Sequence, residues 1–215
     1  MPEQALRVIQ TPGGPASAEV FAVAKGKPTR TLVLGHGAGG GTGARDLQAL
    51  AKALPAHGTS VVLVEQPWRL AGRKVAGPPP TLDVAWIAIV ADLRKSKLLG
   101  PTLIVGGRSA GARVACRTAT TVGAAACLAL SFPLHPPGRP ERSRVEELLG
   151  AGVPTLVVQG ENDSFGGPPE FPPGTTIVAV PGADHGLKVP ARAALGQAAA
   201  LQRIVTAVAA WLGEL

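Results

Sequence analysis

A serine lies at the centre of the segment TLIVGGRSAG, residues 102–111, in a pattern that fits nucleophilic catalysis. An apolar run from Thr102 to Val105 predicts a strand, Gly107 and Gly111 flank Ser109 as G-x-S-x-G, and a helix-forming segment follows. In this strand–turn–helix order the turn strains the serine backbone and exposes its hydroxyl, while glycines avoid collisions of Cβ atoms with neighbouring elements. We therefore predict that Ser109 is a nucleophile. The alternative is a Gly/Ser loop that only joins a strand to a helix.

A serine nucleophile needs a general base and a group that orients the base, and the chain has four histidines. Where the serine stands on such a turn, an acid and then the histidine follow it in the chain. This order selects His185 as the base, and Asp163, which follows a strand-like run, as the acid. Glu161 is the alternative acid. Asp184 lies too close to His185 in sequence to turn its carboxylate onto that ring.

Acyl transfer also needs N–H donors for the oxyanion. One donor is expected to be the N–H of Ala110, at the start of the helix after the nucleophile, where the helix dipole favours negative charge. The second is expected in the loop after the strand Thr31 to Leu34, because HGAGG resembles a His-Gly-x-Gly oxyanion loop. By that match Ala38 is the donor and Gly37 is the alternative.

Five motifs, GHGAGG, GGRSAGARVA, LSFPLHPPG, QGENDSFG and ADHGLKV, resemble the dienelactone-hydrolase-like group of small α/β-hydrolases. That group includes the hydrolase-like domain of subunit 3 of the non-specific-lethal chromatin complex. The resemblance runs from about Thr31 to the C-terminus, and it implies the fold and the placement of Ser109, Asp163 and His185. Two interpretations follow. One is a serine hydrolase that cleaves a carboxylic ester or thioester, and the other is a hydrolase-like scaffold or binding protein without significant turnover.

The glycine loop also allows a third interpretation, a dinucleotide-binding domain. Gly35, Gly37 and Gly40 form G-x-G-x-x-G after a strand, and Glu65 ends the next strand, where an NAD-binding fold places its ribose-binding acid. Two weak strand signals precede the loop, however, and His36 occupies space that a pyrophosphate would need. This interpretation also leaves the serine, acid and histidine pattern unexplained.

Composition is consistent with one globular enzyme domain over residues 1–215. The chain is 46% hydrophobic, and its two cysteines, Cys116 and Cys127, are too few for a disulfide framework and are expected to be buried thiols. The sequence shows no signal-peptide core and no apolar run of membrane-spanning length, so we expect a cytoplasmic protein without a membrane partner. We expect no cofactor and no metal, and the sequence does not indicate an oligomeric state.

The net charge of +7 and pI near 10.1 raise the question of a nucleic-acid partner. Basic residues are spread along the chain, aromatic residues are 3% and tyrosine is absent, so no platform for base stacking is expected. We predict no nucleic-acid binding and a small-molecule ester as the partner.

Some basic and aromatic residues are candidates for substrate binding. Trp68 follows a strand end and a proline, and Arg73, Lys74 and Arg108 could form a cationic rim that favours an anionic ester. The alternative is a solvated basic surface. His135, in FPLHPPG, is expected to be a wall of the site or a residue that fixes its loop.

The remaining pattern predicts an α/β-hydrolase fold, with a mostly parallel, doubly wound sheet of about six to eight strands, helices on both faces and no lid domain. The predicted strands are Thr31 to Leu34, Ser60 to Val64, Thr102 to Val105, Ala126 to Phe132, Thr155 to Gln159 and Thr176 to Val180, with weaker signals at Leu6 to Thr11 and Ala18 to Ala24. The predicted helices are Arg45 to His57, Thr81 to Lys97, Ser109 to Thr121, Glu141 to Leu149 and Ala191 to Leu212. Both oxyanion donors and the three catalytic candidates then follow the carboxyl ends of strands.

Overall fold

A computed structural model describes residues 4–24 and 26–215, and its centre is one eight-stranded sheet. The strands are β1 (Gln4–Thr11), β2 (Gly14–Phe21), β3 (Arg30–Gly35), β4 (Thr59–Glu65), β5 (Thr102–Arg108), β6 (Ala126–Leu130), β7 (Thr155–Gly160) and β8 (Thr176–Val180). Their order is β1-β2-β4-β3-β5-β6-β7-β8. The first two strands are antiparallel to their neighbours, and β3 to β8 are parallel, so the predicted α/β-hydrolase sheet is confirmed.

Helices cover both faces of the sheet. They are α1 (Arg45–Ala53), α2 (Pro67–Leu70), α3 (Pro79–Lys95), α4 (Ala110–Thr118), α5 (Val145–Leu149) and α6 (Gln197–Gly213), with 3₁₀ turns at Leu54–His57 and Pro168–Glu170. Buried side chains of α1 and α6 form one apolar core, and those of α2 to α5 form the other. The molecule therefore has three layers, as a doubly wound sheet requires.

Alternation along the central strands explains why both faces are covered. Val33 on β3 belongs to the core under α3 and α4, whereas Leu32 and Leu34 belong to the core under α1 and α6. Successive side chains of a strand point to opposite faces, so a strand that is apolar throughout needs cover on both sides. Cys116 and Cys127 are buried free thiols, as predicted, with their sulfur atoms 3.8 Å apart.

Two predicted helices begin later than the sequence suggests. The helix expected from Glu141 begins at Val145, because the N–H of Arg144 donates to the carbonyl of Leu134 and folds the segment before it back. The helix expected from Ala191 begins at Gln197, whose side chain bonds the backbone of Leu187 and Val189. The bonds of the Gln197 side chain are an example of side-chain bonds to the backbone that compete with helix formation.

Several further boundaries differ from the predictions, among them those of the helices expected over Thr81 to Lys97 and Ser109 to Thr121, which are Pro79–Lys95 and Ala110–Thr118. The helix expected over Arg45 to His57 changes to a 3₁₀ turn after Ala53, next to Pro55. The strand expected to reach Phe132 ends at Leu130, because Ser131 has φ 45° and leaves the extended conformation. The weak strand signals near the N-terminus form the hairpin of β1 and β2, and β2 ends at Phe21 rather than Ala24.

The connection between β6 and β7 holds only the short helix α5, so no lid is inserted there. None of the helices described is long and apolar enough to cross a membrane.

Candidate active site

The turn between β5 and α4 holds Ser109 in a strained conformation. Its φ is 53° and its ψ is −112°, a region that L-residues rarely occupy. Glycines make the turn possible, because a Cβ on Gly107 would lie 2.6 Å from the carbonyl carbon of Gly111, and one on Gly111 would lie 2.6 Å from the backbone of Gly35. The predicted strand–turn–helix setting is therefore present, with Ser109 at its apex.

The three catalytic candidates form one chain of hydrogen bonds. The ring nitrogen Nε2 of His185 lies 3.0 Å from the hydroxyl oxygen of Ser109. The other ring nitrogen, Nδ1, lies 2.8 Å and 3.0 Å from the two carboxylate oxygens of Asp163. The carboxylate accepts a hydrogen bond from Nδ1–H, which leaves the Nε2 lone pair directed at the serine hydroxyl. Asp163 and His185, which lie 54 and 76 positions after Ser109 in the sequence, are thus brought to it at one edge of the sheet.

The carboxylate of Asp163 is held by its neighbours. Its side chain is buried, one oxygen accepts the side-chain N–H of Gln159 at 2.8 Å, and the other accepts the backbone N–H of Phe165 at 2.8 Å. The ring of Phe165 also packs on the ring of His185, with centroids 4.2 Å apart. Gln159 was not singled out in the sequence, although a buried-type strand that ends in an amide four residues before the acid is a signal for such a role.

The alternative acid does not reach the histidine. Glu161 is exposed and accepts the N–H of Gly182. Asp184 instead braces its own loop, because its Oδ1 accepts the N–H groups of Gly186 at 2.7 Å and Lys188 at 3.0 Å. Asp163 is therefore the carboxylate positioned to orient His185.

The loop after β3 lies beside the nucleophile, as expected for an oxyanion loop. A Cβ on Gly37 would lie 3.3 Å from the Cβ of Ser109. Ala38 is exposed, and among the described residues its N–H donates to no carbonyl. Ala110 is the first residue of α4, so its N–H has no acceptor within the helix. Both candidate donors therefore stay available near Ser109.

His36 fixes the orientation of the peptide that joins Gly37 to Ala38. Its Nε2 accepts the N–H of Gln66 at 3.1 Å, so Nδ1 carries the proton and donates to the carbonyl of Gly37 at 2.9 Å. Burial lowers the pKa of His36, in line with the neutral ring that an acceptor Nε2 requires. The carbonyl of Gly37 and the N–H of Ala38 belong to one planar peptide and point in opposite directions. By holding the carbonyl, His36 directs the Ala38 N–H away from itself, a role that the sequence analysis missed.

A small cavity of about 60 Å³, partly open to solvent, lies between α2 and α3. Its walls include Gln66, Pro67, Trp68, Arg73, Leu82 and Ala85. Neither Ser109 nor His185 lines the cavity, but the ring of His36, in the loop after β3, packs against Trp68 with centroids 5.3 Å apart. The structure thus brings Trp68 and Arg73 together. Lys74 is exposed outside this cavity, and neither basic residue forms an ion pair within the described chain.

Arg108 does not fit the expected cationic rim. Its side chain is only 16% exposed, its Nη2 donates to the carbonyl of His185 at 2.8 Å, and its Nε lies 3.2 Å from a carboxylate oxygen of Asp46. The positive charge is already paired and cannot be offered to a substrate. Asp46 is a further residue that the sequence analysis missed.

His135 fixes a loop, one of the two roles expected for it. Its Nδ1 donates to the carbonyl of Pro136, and its Nε2 lies 2.9 Å from Glu170, whose other carboxylate oxygen accepts the N–H of Gly167. The Pro136 carbonyl and the Glu170 carboxylate raise the pKa of His135. This pair braces the segment that follows Asp163.

A family model described as an alpha/beta hydrolase domain matches residues 28–213. The chain belongs to the α/β-hydrolase family. No curated protein sequence matches this α/β-hydrolase significantly. It does resemble several solved structures at low identity. XC6422 from Xanthomonas campestris, an α/β serine hydrolase without a lid, has 19% identity and a TM-score of 0.68 over 97% of this chain and 95% of that chain.

Two other solved structures are similar to this chain over nearly their whole length. Dienelactone hydrolase from Anabaena variabilis has 15% identity and a TM-score of 0.73 over 99% of this chain and 98% of its own. Est1E from Butyrivibrio proteoclasticus has 15% identity and a TM-score of 0.70 over 97% and 98% of the two chains. At these identities the likenesses show the fold alone.

The fold removes the support for a dinucleotide site in this α/β-hydrolase. The loop from Gly35 to Gly40 does not lead directly into a helix, because α1 begins only at Arg45, and a pyrophosphate site requires that helix N-terminus. Glu65 instead lies against Gly41 and Arg69. Among the residues described, no group of three His, Cys, Asp or Glu side chains is placed to hold a metal ion.

Proposed function

We propose that this α/β-hydrolase cleaves a carboxylic ester or thioester through an acyl-enzyme on Ser109. The observation that carries the proposal is the hydrogen-bonded chain from the Ser109 hydroxyl through His185 to Asp163, at a half-buried turn. A serine hydroxyl is a weak nucleophile by itself, and this arrangement is the one that activates it.

In the first half-reaction, Ser109 Oγ attacks the carbonyl carbon while His185 Nε2 takes the hydroxyl proton. Asp163 stabilises the imidazolium that forms, and the N–H groups of Ala38 and Ala110 bind the oxyanion. His185 then gives its proton to the leaving alcohol or thiol. In the second half-reaction a water molecule loses a proton to His185 and attacks the acyl carbon, which releases the acid and restores the serine.

The cavity beside Trp68 is proposed to take part of the substrate. Its walls are apolar around Trp68 and Leu82, and the exposed cation of Arg73 lies at the same cavity. Such a surface suits an apolar group that carries a negative charge at one end. Lys74, exposed next to Arg73, adds to the positive potential there.

Labelling with a fluorophosphonate tests the proposal, because the probe reacts with an activated serine whatever the natural substrate is. We expect one adduct, located on Ser109 by mass spectrometry, and none in Ser109→Ala. Ser131 is a useful internal control, since its side chain is fully buried. An adduct elsewhere would contradict the assignment of the nucleophile. A folded protein with no adduct and no turnover of activated esters would instead support the scaffold or binding protein.

A further inference from the structure

Arg108 is the last residue of β5 and precedes the nucleophile, yet its guanidinium lies against three other segments. Nη2 donates to the carbonyl of His185 at 2.8 Å, and Nε lies 3.2 Å from Asp46 Oδ2 in the first turn of α1. Nη1 lies 3.5 Å from the position that a Cβ on Gly37 would take. One planar group attached to the nucleophile turn therefore reaches the loop of the base, the start of α1 and the oxyanion loop.

Asp46 is unusual because its carboxylate is buried without aligned hydrogen bonds. Its side chain is 1% exposed, and neither oxygen has a well-aligned donor among the described residues, so the ion pair with Arg108 is its principal compensation. Burial raises the pKa of Asp46, and the charge of Arg108 opposes that rise. A buried carboxylate is costly, and none of the triad residues requires this one for its own hydrogen bonds.

We propose that Arg108 and Asp46 form a latch that holds the loop of His185 against the nucleophile turn, so that both are positioning residues for the base. This inference rests on the proposed function, because the role that it gives to the latch is to keep His185 within hydrogen-bond distance of Ser109. The latch is defined as the pair Arg108 and Asp46 with the hydrogen bond from Arg108 to the His185 carbonyl.

The loop of His185 needs such a tie because its other contacts leave its backbone unattached to β5. Asp163 and Phe165 hold the ring of His185, and both belong to the segment after β7. Asp184 bonds only within the loop. The bond from Arg108 therefore joins the backbone of the base to the strand that carries the nucleophile. A misplacement of about 1 Å costs on the order of 100-fold in rate.

The charges of the latch give a second signature. The charged groups that face His185 are Asp163 at Nδ1 and Arg108 at its carbonyl, with Asp46 behind Arg108 and Asp184 on the same loop. In Asp46→Asn the Arg108 cation stays uncompensated beside His185 and disfavours the imidazolium, so the acid limb of the kcat/KM profile moves to lower pH. In Arg108→Gln the cation beside His185 is lost, so the limb does not move to lower pH.

The test compares Arg108→Gln, Arg108→Lys and Asp46→Asn with Arg113→Gln. Arg113 is a matched control because it also forms a partly buried ion pair, with Glu147, on the helix after the nucleophile. Hydrogen exchange over residues 181–190 measures the loop without requiring turnover. The rate of fluorophosphonate labelling, its pH profile and the melting temperature complete the set.

We expect faster exchange in residues 181–190 in Arg108→Gln and labelling about 10- to 100-fold slower. Arg108→Lys keeps the charge but cannot make both contacts, so it recovers part of the rate. Arg113→Gln lowers the melting temperature alone. Exchange and labelling in Arg108→Gln that match Arg113→Gln would overturn the latch. Faster loop exchange in a protein whose wild type is never labelled would retain the latch and refute the proposed function.

Discussion

The strained backbone of Ser109 is held by hydrogen bonds on both sides of the residue. Its N–H donates to the carbonyl of Leu130 at 2.9 Å, and its own carbonyl accepts the N–H of Arg113 at 3.2 Å. A non-glycine residue in such a conformation costs about 1–3 kcal/mol, so it persists only where the surroundings over-determine it. The strain is located at the one residue whose hydroxyl must stand clear of the sheet.

The acid assignment can be tested at the same scale. Asp163→Asn is expected to lower kcat roughly 10⁴-fold with a small change in KM, because the amide no longer fixes the tautomer of His185 or stabilises the imidazolium. Glu161→Gln is the matched control, and its activity should stay near the wild type because its carboxylate only accepts the N–H of Gly182. Steady-state kinetics on an activated ester measure both. The reverse pattern would move the acid to Glu161.

The sequence predicted that Ser109, Asp163 and His185 lie together, because each follows the carboxyl end of a strand and parallel strands present those ends at one edge. It did not predict His36, Asp46 or Gln159 as supports. Those side chains act on atoms that are distant in sequence or on backbone groups, and no spacing rule links them to their targets.

At the scale of elements, close contact between α4 and β3 sets the height of the nucleophile turn. A Cβ on Gly111 would lie 2.6 Å from Gly35, and both partners are backbone atoms that cannot move aside. Gly111→Ala should therefore destabilise the protein by about 1–3 kcal/mol, or more if the turn shifts. Urea unfolding measures the change. Gly43→Ala, where no atom lies within 4 Å of the new Cβ, serves as the control and should be nearly neutral.

The pair of His135 and Glu170 predicts a pH dependence of stability. The folded-state pKa of His135 is raised, by the Pro136 carbonyl and Glu170, so its contribution is complete below the unfolded value of about 6.5 and is lost as pH rises through the folded pKa. The pKa of Glu170 is lowered, so its contribution is complete above about 4.3 and is lost as pH falls through the folded pKa.

The stabilisation from this pair should thus be largest between about pH 4.3 and 6.5. Because Glu170 is half exposed, it should amount to less than about 1 kcal/mol. The difference in free energy of unfolding between wild type and His135→Gln should shrink from pH 6 toward pH 9. A difference that is constant or grows over that range would assign His135 a packing role alone.

The sequence predicted which segments form helices or strands better than it predicted the residues at which the helices begin. The segments of α5 and α6 have apolar periodicity before the helix begins, but the Arg144 N–H and the Gln197 side chain bond to distant backbone groups and delay the first turn. Such competition depends on where the partner carbonyl lies in the folded chain, and periodicity carries no information about that position.

For the whole molecule, the excess of positive charge predicts a salt-dependent preference among substrates. The net charge is +7, and Arg73 lines the cavity beside Trp68. An anionic ester should be favoured over a neutral ester of equal size, and the preference should weaken as the Debye length falls to about 3 Å at 1 M salt. The measurement is the kcat/KM ratio of the two esters at low and high salt.

Replacing Arg73 and Lys74 together by glutamine should remove most of this preference while leaving activity toward the neutral ester unchanged. Arg142 and Arg139, which are exposed on the connection that holds α5, provide a matched double substitution with the same change in net charge. Equal effects of the two pairs would show that the total charge, and not the cavity, attracts the anion. If the wild type shows no preference for the anionic ester, Arg73 and Lys74 are part of a solvated basic surface without a role in substrate selection.

The missing lid has a consequence for the fate of the acyl group. Because the connection between β6 and β7 holds only a short helix and His185 is 22% exposed, an acyl group on Ser109 would be in contact with bulk solvent. Water would then outcompete added alcohols for the acyl carbon at ordinary concentrations, and the enzyme would perform little transesterification. Nor would an oil–water interface be needed to uncover the serine, so the rate on a short soluble ester should show no jump at its solubility limit.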